Sequence, residues 1–167
     1  TLPSHPMPKP KPKPMPRKAA KASKKTPAPK AAPAKRAKRV AKRVKPIPEG
    51  FHSITPYLIV RGGTRALDFY ARSLGAVEIF RLEMGGRLGH AEIRIGDSVV
   101  MLADEFPEMD CRSPQAYGGT PVSLMVYVED VDASVARAVK AGAKLIRPVL
   151  NQFYGDRSAS LQDPFGH

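Results

Sequence analysis

The sequence is poor in the residues that build a disulfide scaffold or a membrane span. Its single cysteine, Cys111, excludes an internal disulfide and a cysteine-based metal cluster. No apolar run approaches the roughly 20 residues that cross a bilayer, and no apolar signal-peptide core stands near the N-terminus. We therefore expect a cytoplasmic protein that does not enter a membrane.

Acidic residues are absent from residues 1–46, although this part holds 16 of the 28 Lys and Arg. Residues 47–167 carry the other 12 basic residues and all 15 acidic ones, so the net charge of +13 comes from the N-terminal part alone. Residues 9–14 alternate lysine with proline, which prevents a helix and keeps the chain extended by repulsion. The pattern predicts a disordered basic tail over residues 1–46 and one folded domain over residues 47–167.

The tail has two open interpretations. Its lysines and arginines can neutralise phosphates, which predicts sequence-independent and salt-dependent binding of nucleic acid; the alternative is a solubilising extension. No aromatic residue stands between the charges, so base stacking is not expected. The basic residues where nucleic-acid contact is expected are Lys35, Arg36, Lys38, Arg39, Lys42 and Arg43.

After residue 50 the patterns of strands and helices follow an order that occurs twice. The first copy predicts a strand, a helix and three strands, at 54–60, 64–74, 76–82, 89–95 and 98–103. The second predicts a strand, a helix and two strands, at 122–128, 133–141, 144–149 and 157–161. Gly75 and Gly142 end the two helices, at the position where a positive φ is favourable. The expected fold is α+β: two βαβββ units, the second one strand short, that pair into a curved sheet with a ligand cleft.

Four segments of the folded part resemble the vicinal oxygen chelate superfamily of glyoxalases, bleomycin-resistance proteins and extradiol dioxygenases. They are 54–58 (ITPYL), 89–93 (GHAEI), 153–157 (FYGDR) and 163–167 (DPFGH), and they most resemble the PhnB-like branch. The resemblance covers about residues 50–167. It implies the paired-unit fold, a small-molecule ligand in the cleft and a homodimer. In family members a final strand follows the last segment, so the second unit is expected to be truncated.

The resemblance also implies where a glyoxalase-type metal would be bound. Three of its ligand positions fall on Thr55, Met101 and Ser123. Neutral hydroxyls and a thioether are poor ligands for the divalent metals that these enzymes use. We therefore expect no metal or other cofactor.

His90 and Glu92 stand two residues apart on a predicted strand and therefore share one face with Arg94. They are the candidate catalytic acid–base pair. With His52 or His167 they would form a facial triad for non-haem iron. The third alternative is a hydrogen-bonded pair that stiffens the sheet.

Other residue types indicate ligand contacts without fixing them. Aromatic side chains on strands line pockets or fill cores, and a guanidinium after a turn binds a carboxylate or phosphonate ligand or forms a local salt bridge. The candidate ligand-binding residues are Thr55, Tyr57, Met101, Ser123, Phe153, Tyr154 and Arg157. The leading hypothesis is a metal-free member that binds a small organic molecule. The alternatives are an enzyme, such as a lyase or dioxygenase, that uses His90 and Glu92, and a protein tethered to nucleic acid by its tail.

Overall fold

The computed structural model describes residues 45–167. The first unit contains β1 (Tyr57–Val60), α1 (Gly63–Leu74), β2 (Val77–Met84), β3 (Arg87–Ile95) and β4 (Ser98–Asp104). A 3-10 turn and a short helix, α2 (Pro114–Tyr117), lead to the second unit, with α3 (Val131–Ala141), β5 (Lys144–Asn151) and β6 (Arg157–Gln162). None of the helices between residues 45 and 167 is long and apolar enough to span a bilayer. The disorder predicted for the basic tail falls on residues that are almost all outside the described part.

The first unit forms a four-stranded sheet in the order β1-β4-β3-β2. Strand β1 runs parallel to β4, whereas the β4–β3 and β3–β2 pairs are antiparallel. The β3–β4 hairpin turns at Gly96, whose φ of 59° favours glycine. The sequence predicted this unit correctly in type and order. Its first strand begins at Tyr57 rather than at residue 54, because Pro56 has no N–H to donate to the ladder.

One face of the sheet packs against α1 and forms the core. Successive strand residues point to opposite faces. Ala91 and Ile93 of β3 are buried, with exposed fractions of 0% and 1%, whereas Arg94 on the same strand points to the other face and is exposed. Gly75 ends α1 with a φ of 67°, as predicted. The core residues from both units are Leu58, Val60, Ala66, Leu67, Phe69, Tyr70, Leu88, Ala91, Ile93, Val100, Leu102, Ala138, Ala143 and Phe165.

The second unit is joined to the first through its helix and through the turn at residues 163–167. The Phe165 ring is buried against Phe69 and Tyr70, with ring centroids 6.0 and 6.3 Å away. The Tyr70 hydroxyl donates to Asp163 Oδ2 at 2.5 Å, and burial is the largest cause of the raised pKa of this phenol. His167 Nε2 donates to the Ile59 carbonyl at 3.2 Å. The segment that carried the family resemblance at 163–167 therefore stabilises the contact between the units.

The predicted strand at 122–128 is not part of any sheet among the described residues. Its side chains are exposed, and β5 and β6 pair only with each other. In the first unit β4 lies between β1 and β3, and the second unit has no counterpart of β4 within residues 45–167. Because a strand needs a hydrogen-bonded neighbour, β-propensity at 122–128 is not sufficient to form one. The curved sheet is therefore not closed.

Candidate functional site

The face of the first sheet turned away from α1, here the open face, carries most of the candidate site. Residues directly opposite one another on neighbouring strands point to the same side. Tyr57 lies opposite Met101, Met101 opposite Glu92, and Glu92 opposite Phe80. His90 lies opposite Leu82 in the same way. The open face therefore contains Tyr57, Phe80, Leu82, His90, Glu92, Arg94 and Met101.

Tyr57, His90 and Glu92 form a hydrogen-bonded chain across this face. The Tyr57 hydroxyl lies 2.9 Å from His90 Nδ1, and His90 Nε2 lies 3.4 Å from Glu92 Oε1. A carboxylate only accepts and a phenol can donate, so the tautomer with its proton on Nε2 satisfies both contacts: Nε2 donates to Glu92 and Nδ1 accepts from Tyr57. The His90 and Glu92 side chains are only 23% and 21% exposed. This arrangement holds the imidazole in one tautomer and orients both of its nitrogens.

Aromatic rings lie on both sides of His90. The Tyr57 and Phe80 ring centroids are 5.5 and 6.1 Å from that of His90. Burial is the main cause that raises the pKa of Tyr57, and nearby Cys111 adds a smaller contribution in the same direction. The phenol is therefore protonated at neutral pH and acts as a hydrogen-bond donor.

The structure brings five of the nine candidate residues of the folded part to one region. Tyr57, His90, Glu92 and Met101 share the open face, and Thr55 precedes β1 and is partly buried. The other four, in the second unit, are exposed: Ser123, Phe153, Tyr154 and Arg157. The basic residues proposed for the tail lie outside the described part.

The second-unit candidates do not converge on the open-face cluster. Phe153 is fully exposed, and its ring stacks edge-on with Tyr154, 5.1 Å away, in the β5–β6 turn. Arg157 binds both carboxylate oxygens of Asp132 at the start of α3, with Nε–Oδ2 2.6 Å and Nη2–Oδ1 2.8 Å. This pair raises the pKa of Arg157 and lowers that of Asp132. The Arg157 guanidinium, which the sequence suggested as a ligand contact, therefore forms an ion pair with Asp132, 25 residues away, rather than with a residue of its own turn.

The described side chains do not fit the superfamily's metal site. Thr55, Met101 and Ser123 supply two neutral hydroxyls and a thioether, which are weak ligands for divalent metals. Between residues 45 and 167, no group of three or more His, Cys, Asp or Glu is placed to hold a metal ion. His167 is bonded to the Ile59 carbonyl, and neither it nor His52 forms such a group with His90 and Glu92.

Two grooves lie away from the open-face cluster. One runs between α1 and β2, where Leu67, Asp68 and Arg81 line it. The other lies beside β6, where Ser123 and His167 contribute to its wall. Neither groove includes His90 or Glu92.

Phe80 and Leu82 were missed as site residues in the sequence. Both are about half exposed, at 48% and 49%, and both lie directly opposite members of the polar cluster. The period-two alternation of Phe80, Leu82 and Met84 in β2 is the signal that could have found them. A β-bulge changes the register between Glu78 and Phe80, and this is not readable from the pattern.

Comparison with known proteins identifies the family. A Mycobacterium tuberculosis protein (strain ATCC 25618 / H37Rv), described as uncharacterised, is 40% identical over 119 residues, 69% of this chain and 70% of that protein. A similarly described Mycobacterium bovis protein is 40% identical over 119 residues, 69% of this chain and 78% of that protein.

Solved structures share the fold at low identity. An Arabidopsis thaliana gene product matches with a TM-score of 0.57 and 24% identity, over 70% of this chain and 93% of the other. The fosfomycin resistance protein FosX of Mesorhizobium loti matches with a TM-score of 0.52 and 19% identity, over 70% and 86%. The family model of the Glyoxalase/Bleomycin resistance protein/Dioxygenase superfamily matches residues 50–167. The chain therefore belongs to the Glyoxalase/Bleomycin resistance protein/Dioxygenase superfamily.

Proposed function

We propose that this superfamily member binds a small organic molecule on the open face without using a metal. The observation that carries the proposal is the Tyr57–His90–Glu92 chain next to half-exposed apolar side chains. Ligand sites typically combine a mostly apolar surface with a few oriented polar groups. We include the PhnB-like branch in the proposal, on the four matching sequence segments, and a cytoplasmic location, because a single cysteine suits a reducing compartment.

The apolar surface around the hydrogen-bonded Tyr57, His90 and Glu92 side chains favours ligand binding, because a ligand removes this surface from water. Phe80 and Leu82 are 48% and 49% exposed, and covering such surface contributes about 25 cal/mol per Å². The hydrogen-bonded polar groups supply direction, because His90 orients the Tyr57 hydroxyl and the Glu92 carboxylate. A molecule that covers the apolar side chains and reaches these groups gains both contributions.

A second copy of the chain would complete the site. Phe80 and Leu82 of the open face are about half exposed, and residues 122–128 belong to no sheet of the described part and present apolar side chains such as Met125 and Tyr127, which are 77% and 87% exposed. Closed two-fold assemblies are the commonest way to cover such surfaces. We therefore propose a homodimer in which each open face is bordered by the partner. Sedimentation equilibrium of the full chain tests this, and a monomer at tens of micromolar contradicts it.

A fragment screen on the full chain tests ligand binding. Fluorinated fragments observed by ¹⁹F NMR should include binders whose affinity falls in Phe80→Ala and is retained in Val139→Ala. Val139 is a matched control because it is an exposed apolar residue, 44% exposed, on α3. Binders that are indifferent to Phe80→Ala would place the ligand elsewhere and contradict the proposal.

Catalysis is the second candidate function, favoured by the geometry of the same chain. A carboxylate that orients an imidazole, which in turn accepts from a hydroxyl, is the arrangement of a general acid–base system. Such an enzyme would pass a ligand proton between Tyr57 and His90 while Glu92 stabilises the imidazolium. Once a ligand is identified, His90→Ala should abolish its turnover and leave its affinity within a few-fold. Turnover that survives in His90→Ala contradicts the catalytic role.

The metal-free part of the proposal has its own test. The full chain is incubated with iron(II) or zinc, passed through a desalting column and submitted to elemental analysis. We expect far less than one metal per chain, because the residues at the expected positions are weak donors. A stoichiometric metal that is lost in His90→Ala would instead support the iron-triad alternative.

A further inference from the structure

We propose that the ligand is a planar aromatic molecule with one anionic group, whose ring packs on Phe80, whose neutral polar end reaches Tyr57 and His90, and whose anion binds Arg94. This inference rests on the proposed function and names the chemistry of that same site. It is carried by two independent features of the open face, a row of rings and a guanidinium that has no acidic partner among residues 45–167.

The ring row crosses the sheet from β1 to β2. Tyr57 extends over β4 to reach His90 on β3, and Phe80 follows on β2, with interplanar angles of 40° and 48° between successive rings. Tyr57 and Phe80 are each 48% exposed. Aromatic side chains that are half exposed favour an aromatic partner, because ring–ring contact adds to the gain from burial.

Arg94 lies on the same face, two residues beyond Glu92. Its neighbours in register are Val77 and Val99, and Ile93 beside it points into the core. No carboxylate of residues 45–167 forms an ion pair with Arg94, because the adjacent Glu92 is turned toward His90. An exposed guanidinium between apolar neighbours is suited to the carboxylate of a ligand.

The spacing limits the size of the ligand. Positions 92 and 94 are about 7 Å apart along the strand, and Phe80 lies opposite Glu92. A ring above Phe80 therefore places a short carboxylate arm within reach of Arg94. At the end of the ligand opposite the carboxylate, Glu92 would repel a second negative charge. Tyr57 and His90 there match a neutral substituent that can form hydrogen bonds. A phenol with one carboxylate arm fits both ends.

Three probes of one skeleton test the charge requirement: 4-hydroxyphenylacetate, 4-hydroxyphenylacetamide and tyramine. Binding is followed through the Met101 methyl resonance of the full chain at 0.15 M salt, because the basic tail attracts any anion and only a local signal reports the open face. The carboxylate should bind about tenfold more tightly than the amide, as expected for one charge-assisted contact. Tyramine should bind most weakly.

The variants separate this inference from the proposed function. Arg94→Gln should remove the preference for the carboxylate, Arg94→Lys should restore part of it, and Glu92→Gln should strengthen carboxylate binding a few-fold. Arg72→Gln is the matched control, because Arg72 is an exposed arginine on α1 that forms an i,i+4 pair with Asp68. Equal affinity for acid and amide, a preference that survives in Arg94→Gln, or no Met101 shift with any probe overturns the inference. The fragment screen with Phe80→Ala decides the proposed function separately.

Discussion

Replacing Asp104 by Asn should destabilise the fold strongly, although it exchanges only one carboxylate oxygen for an NH₂ group. Asp104 Oδ1 accepts from the backbone N–H groups of Gly62 and Gly63 at 2.9 and 2.7 Å, and Oδ2 accepts from Leu88 at 2.7 Å. The carboxylate thereby joins the end of β4 to the first turn of α1 and to the start of β3. In Asp104→Asn, the amide NH₂ either replaces Oδ2 and faces the Leu88 N–H or replaces Oδ1 and faces the N–H groups of both Gly62 and Gly63. In both orientations a donor meets a donor.

The expected loss of unfolding free energy is about 3–7 kcal/mol. One hydrogen bond to a charged acceptor, worth about 1.5–3 kcal/mol, is lost outright. The remaining two become neutral bonds of roughly half the strength, and the negative charge near the N-terminus of α1 contributes a further 0.3–1 kcal/mol or so. Against a typical total of about 5–15 kcal/mol, this is a large fraction.

Urea unfolding of the full chain, followed by circular dichroism at 222 nm, measures this loss. Asp68→Asn is the matched control: Asp68 is 74% exposed, and its contact with Arg72 is an i,i+4 pair at 3.5 Å, worth at most about 0.5 kcal/mol. The midpoint should fall in Asp104→Asn with an unchanged m-value. If the two variants agree within 0.5 kcal/mol, the assigned role of Asp104 is wrong.

Three further predictions concern the contact between the units, the acid response and the tail. Phe165→Ala should cost about 3–5 kcal/mol in the same assay, because a buried ring leaves a cavity against Phe69; a loss below 1 kcal/mol would contradict the packing. Hydrogen bonds from Arg61 and then Ser113 lower the pKa of Glu105 to about 2. Its stabilisation is therefore complete above about pH 4.5 and disappears as the pH falls toward 2, so the gap of about 1–3 kcal/mol between wild type and Glu105→Gln at pH 7 should narrow over that range; a constant gap contradicts this. A peptide of residues 1–46 should retard duplex DNA in a gel at low salt and release it at high salt; absence of retardation at low salt refutes nucleic-acid binding.

The sequence predicts those parts of the fold that local chemistry determines. Gly142 ends α3 with a φ of 116°, and Gly96 turns the β3–β4 hairpin, because these positions require a left-handed backbone that glycine adopts cheaply. The alternation at 90–95 fixes which side chains share the open face. Each of these features depends on residues within a few positions, so the local sequence pattern is sufficient to predict it.

Contacts between distant positions are not contained in such patterns. The Tyr57–His90 hydrogen bond spans 33 positions, and the Arg157–Asp132 pair spans 25. Both depend on register and packing, so the sequence could name Tyr57 as a candidate but not assign its partner. The strand expected at 122–128 fails for a related reason, since its formation depends on a neighbouring strand rather than on its own residues.

The segment at 122–128, which belongs to no sheet of the described part, makes the net charge of the chain relevant to its solubility. Its seven residues contain no proline and no charge and are rich in β-branched and aromatic types, which is the composition of segments that self-associate into cross-β structure. Electrostatic repulsion between molecules of net charge +13 opposes such encounters. Without residues 1–46 the remaining 12 basic and 15 acidic residues leave a charge of only −3. The charge of the basic tail therefore predicts that its removal promotes aggregation of the domain through residues 122–128.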